Sequence, residues 1–71
     1  MAESVYTVVE LIGTSTESWE KAAEAAIKRA AKSLRDLRVA EVVQLDVVIE
    51  NGAVATYRAK LNVSFKYAPK K

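Results

Sequence analysis

Between two long β-branched runs the chain carries Glu50-Asn51-Gly52-Ala53, and the central Asn-Gly pair constrains the fold more than any other feature. A two-residue type I′ turn needs positive φ at both central positions, which Asn and Gly tolerate best. Placing the turn there sets the register of the flanking strands and assigns each side chain to a face. One face then pairs Glu50 with Ala53, Val48 with Ala55, Asp46 with Tyr57, Gln44 with Ala59, Val42 with Leu61 and Ala40 with Val63. Phe65 and Tyr67 continue it, and as the more apolar face it is expected to receive a helix. The other face pairs Val47 with Thr56, Leu45 with Arg58, Val43 with Lys60, Glu41 with Asn62 and Val39 with Ser64. A β-bulge in strands this long would shift the outer pairs by one residue.

The second face is unusual. It is polar on the strand after the turn (Thr56, Arg58, Lys60, Asn62, Ser64) and mostly apolar on the strand before it (Val39, Val43, Leu45, Val47, Ile49). A sheet surface in contact with water is normally polar throughout. Valines and leucines beside a basic strand fit a partner chain better, with Arg and Lys stems covering apolar surface. At 71 residues, with no cysteine to staple it and 51% apolar residues, the chain is expected to gain stability by oligomerising.

The remaining segments read simply. Val5–Ile12 is a strand by its β-branched content, and Gly13 is expected to end it. Thr14-Ser15-Thr16-Glu17 offers N-cap hydroxyls, with Thr14 and Glu17 at capping-box spacing and Ser15 as a competing cap. Ser18 to about Arg35 is a helix whose stripe is Trp19, Ala22, Ala23, Ala26, Ile27, Ala30 and Leu34, extended to Leu37. Glu17–Lys21 and Glu24–Lys28 stand at i,i+4 spacing on its polar side. Strands follow over about Val39–Ile49 and Ala53–Tyr67, and Ala68-Pro69-Lys70-Lys71 is expected to fray. The order is β-α-β-β, an α+β fold, in one domain spanning 1–71.

Chemistry is sparse. There is no histidine, the commonest general base, and no motif frames a serine–lysine pair, so an enzyme is not expected. Glu10, Glu41 and Asp46 lie well within strands and could collect a hard cation such as calcium, but only if folding or symmetry assembles them. Trp19 reads as core or interface packing, and Gly13-Thr14-Ser15 as capping rather than an anion site. The net charge of +2 carries no basic stripe interleaved with aromatics, so a nucleic-acid partner is not expected. Met1-Ala2-Glu3-Ser4 lacks a basic, then apolar, signal pattern, and no apolar run approaches the roughly 20 residues of a membrane span. The expected location is the cytoplasm, with no membrane partner.

With these residues in place the chain resembles the dodecins. The resemblance rests on Val8–Ser15 (Val-Val-Glu-Leu-Ile-Gly-Thr-Ser), Trp19-Glu20, Ala22-Ala23, Ala40-Glu41-Val42, Tyr57 and Val63-Ser64-Phe65. It implies a three-stranded antiparallel sheet partly wrapping one helix, assembled as a hollow homododecamer that binds, stores or buffers flavin (riboflavin or FMN) and is not an enzyme. The family's flavin-stacking tryptophan falls at the position held here by Val39, and the glutamine that bonds the isoalloxazine edge at that held by Arg58. Bacterial relatives often carry a phosphate-contacting arginine near the position of Asp46. The resemblance therefore implies a ligand pocket at Val39, Leu45, Asp46 and Arg58 with weakened flavin binding. The alternative is a calcium-binding or purely structural cage.

Overall fold

The computed structural model describes residues 4–66. Strand β1 (Tyr6–Ser15) leads into helix α1 (Trp19–Ser33), followed by β2 (Leu37–Glu50) and β3 (Ala53–Lys66). The three strands form one antiparallel sheet in the order β1-β3-β2, so the last strand is central. Asn51 and Gly52 both adopt positive φ (54° and 77°) between Glu50 and Ala53, as the type I′ turn requires. Tyr67 and the expected frayed tail lie outside the described residues.

Two sequence expectations fail at the β1–α1 junction. Gly13 does not end β1, which continues to Ser15 with Gly13 opposite Ala59. A side chain at Gly13 would collide with the Ala22 carbonyl and press on the Ala26 methyl, so glycine is there for close helix approach. The cap is Ser18, whose hydroxyl accepts from Lys21 N–H at 3.0 Å, while Ser15 Oγ accepts from Glu17 N–H at 2.9 Å. At the other end α1 stops at Ser33, so Leu34 caps it and Leu37 already belongs to β2. Neither Glu17–Lys21 nor Glu24–Lys28 closes as an ion pair among the described residues.

The helix packs on β1 and β3 and barely reaches β2. Ala22, Ala26 and Ala30 are buried against Ala59, Leu61 and Val63, with Val9, Leu11, Ala23, Ile27 and Leu37 packed around them. Fifteen helical residues span roughly 22 Å at about 1.5 Å each. Fourteen strand residues span roughly 46 Å at about 3.3 Å each. The helix therefore covers about half the sheet's length, and the hairpin end of β2 and β3 projects past it. Leu61 and Val63 are the largest fully buried side chains, whereas Val42, Val43, Leu45, Ile49 and Val54 are all exposed. Val42 was expected beneath the helix with its partner Leu61, yet it stays 48% exposed because α1 stops short of β2.

Gly13→Ala is expected to cost about 3 kcal/mol, the upper part of the overpacking range, because the obstacle is helix backbone. Denaturant unfolding measures it; a loss within the scatter of surface substitutions would contradict the close approach.

Candidate functional site

The β2–β3 register departs from a simple two-residue count at three places, between Leu37 and Val39, Val42 and Gln44, and Val48 and Ile49. The irregularity nearest the turn moves the middle of β2 by one residue. Asp46 therefore faces Arg58 rather than Tyr57, and Leu45 faces Ala59 rather than Arg58. The second irregularity, at Val43, restores the expected pairs Val42–Leu61, Ala40–Val63, Glu41–Asn62 and Val39–Ser64. The consequence is chemical. Leu45 and Val47 move to the helix side with Ala59 and Tyr57, and Gln44, Asp46 and Val48 join Lys60, Arg58 and Thr56 on the outer face. β1 extends that face with Val8, Glu10, Ile12 and Thr14 opposite Ser64, Asn62, Lys60 and Arg58.

Asp46 and Arg58 form a two-pronged pair: Arg58 Nε donates to one carboxylate oxygen at 2.8 Å and its terminal nitrogen to the other at 3.1 Å. Those hydrogen bonds, reinforced by the opposite charge and partly opposed by desolvation, hold the Asp46 carboxyl below the ordinary carboxylate range. The same bonds raise Arg58 above its usual value. Lys60 Nζ lies 3.6 Å from Glu10 beside it. Ile12, Gln44, Asp46, Arg58 and Lys60 line a cleft of about 130 Å³.

Asp46 is also held from the helix side. The Trp19 indole N–H donates to the Asp46 backbone carbonyl at 3.0 Å, and the ring meets Tyr57 edge-on with centroids 5.1 Å apart. The sequence marks Trp19 as a packing residue but gives no hint of this bond, which depends on the shifted register.

Val39 shares the outer face with Arg58 but does not meet it. Val39 stands opposite Ser64, whose hydroxyl donates to the Val39 carbonyl at 3.3 Å, six residues along β3 from Arg58. That separation is roughly 20 Å at about 3.3 Å per residue. Val39 instead borders a second cleft of about 200 Å³ with Ile27, Leu37, Arg38, Ala40 and Val63. Both clefts fall below the roughly 300 Å³ at which small-molecule pockets begin. Of the four residues expected to form a pocket, one chain brings together Asp46 and Arg58, sets Val39 apart and turns Leu45 to the opposite face. A larger hollow, about 510 Å³, lies between α1 and the free side of β1, with Val9, Leu11, Ala26, Ala30 and Leu34 in its walls and Arg29 as its one charged lining residue.

Calcium takes 6–8 oxygen ligands, commonly with several carboxylates among them. Among the described residues, no three His, Cys, Asp or Glu side chains gather as a metal-binding group. Glu10 and Glu41 flank Asn62 from opposite strands, and Glu10 is already paired with Lys60. Among the described residues, no helix is long and apolar enough to cross a membrane.

These elements define a small α+β protein of β-α-β-β order whose apolar sheet surface outgrows its own helix. The dodecin family model matches residues 5–68, and the chain belongs to the dodecin family. It is 50% identical over 66 residues to the calcium dodecin of Mycobacterium tuberculosis, covering 93% of each chain. A crystal structure of the calcium dodecin from that organism, described as calcium-chelating with a novel calcium-binding site, matches with a TM-score of 0.83 and 48% identity, over 96% of this chain and 97% of that one. The dodecin of Streptomyces coelicolor matches with a TM-score of 0.93 and 34% identity, over 99% of this chain and 100% of that one.

Because Asp46 titrates below its ordinary range, its contribution to stability is present above that range and is lost as pH falls through the lowered folded value. Asp46→Asn is therefore expected to be less stable than the parent at neutral pH, with the gap closing in strong acid. Melting curves across pH measure this; a gap that persists unchanged into acid would contradict the pair.

Proposed function

We propose that this chain is a non-enzymatic, self-assembling binding protein of the dodecin type, poorly suited to flavin and loaded with calcium at sites completed between subunits. The observation that carries the reading is the closed Asp46–Arg58 pair. Arg58 stands where the family's flavin-binding members place a glutamine, which offers both a donor and an acceptor. Arg58 is a donor only, and two of its N–H groups are engaged by Asp46. Val39 has no ring to stack, a loss of about 1–3 kcal/mol by analogy with aromatic–base stacking. Calcium is favoured by the 50% identity to a calcium dodecin. Since one protomer gathers no metal-binding group among its described residues, the ion needs carboxylates from more than one copy. The bare apolar edges of the sheet supply the drive for that assembly, with the homododecamer as its form.

Three measurements test this. Light scattering is expected to give a mass several times the 7.8 kDa protomer, and a monomer mass would end the assembly reading. Leu45→Asp is expected to lower that mass by charging an exposed leucine. Titration calorimetry after chelator treatment is expected to show heat with calcium. Riboflavin fluorescence is expected to escape quenching at nanomolar protein. Nanomolar quenching without calcium heat would reverse the choice of ligand.

A further inference from the structure

We propose that Asn51 is a site of spontaneous covalent modification, at which the hairpin turn ages to isoaspartate and aspartate through a cyclic imide. The reaction needs a backbone N–H that is free, unshielded and adjacent to an asparagine side chain. Asn51 and Gly52 are both exposed, and a Cβ placed on Gly52 would meet nothing within 4 Å, so no other part of the protomer crowds that side of the turn. Strand pairing ends at Glu50 opposite Ala53, which leaves the Gly52 N–H outside the ladder. Among the described residues, no backbone hydrogen bond of a turn or cap uses it either.

The chemistry balances with water alone. Solvent base removes the Gly52 amide proton, and the nitrogen attacks Asn51 Cγ. The new N–Cγ bond closes a five-membered imide as the Cγ–Nδ2 bond breaks, and Nδ2 leaves as ammonia. Water then opens the imide at one of its two carbonyls. Opening at Cγ leaves aspartate on an ordinary backbone; opening at the backbone carbonyl reroutes the chain through Cγ as isoaspartate. Either product replaces a neutral amide by a carboxylate, taking the net charge from +2 to +1 and placing a second acid beside Glu50. Isoaspartate also adds a methylene to the main chain inside a turn that needs left-handed φ at both its residues. Asn62 is the internal contrast. It is half-buried in the central strand, paired with Glu10 and Glu41, and followed by the β-branched, buried Val63.

The test is incubation of the full chain in mildly alkaline buffer, folded and in urea, followed by tryptic mass mapping. The peptide Val39–Arg58 of the folded protein is expected to gain about one dalton, with label from isoaspartyl methyltransferase localised to residue 51. Its conversion should exceed severalfold that of the peptide Leu61–Lys66, which carries Asn62. Asn51→Gln should leave the mass of the first peptide unchanged, since a six-membered ring closes far more slowly. Conversion in urea with none in the folded chain would overturn the proposal, as would a mass gain that persists in Asn51→Gln.

Discussion

The structure depends on how closely α1 can lie on β1. Gly13 has no side chain, and Ala22, Ala26 and Ala30 present only methyl groups, so backbone meets backbone across the seam. Such contact is tightest at Ala22, which is fully buried, but it buries little area per residue. It also ties the helix to one side of the sheet, over β1 and β3. β2 is left as an edge strand without cover, and everything distinctive about the molecule follows from that asymmetry.

A sheet twice as long as its helix has two ways to end. It can curl back on itself, or it can offer the excess to other chains. The principal extents of 54 × 20 × 15 Å show that it does not curl. A radius of gyration of 14.8 Å compares with the roughly 11 Å of a compact chain of this length. The exposed apolar residues of β2 lie on both faces of this uncovered strand, Val42 and Leu45 on the helix side and Val39 and Val48 on the outer side.

Much of the fold was legible in the sequence because its strongest signals are local. Asn51-Gly52 placed the turn, β-branched content placed the strands, and the alanine periodicity placed the helix face. The errors have one physical source. Gly13 reads locally as a strand breaker, whereas its purpose is set by Ala22, a residue it meets only after folding. The middle register was displaced because bulges arise from competition between twist and packing, which no local pattern encodes. At the site this displacement mattered most. Counting back from the turn separated Asp46 from Arg58, although their opposite charges suit a cross-strand pair. The same counting placed Leu45 opposite Arg58, whereas it stands opposite Ala59 on the helix side.

Asp46 is held twice, by Trp19 through its carbonyl and by Arg58 through its carboxylate, so one residue joins the two faces of the sheet. Trp19 is the sole tryptophan in the chain, and its indole N–H ends on the very residue that anchors the outer-face ion pair. The protein therefore carries a built-in optical reporter: a ligand that engages Asp46 from the outer face acts on a carbonyl to which the indole on the opposite side is hydrogen-bonded.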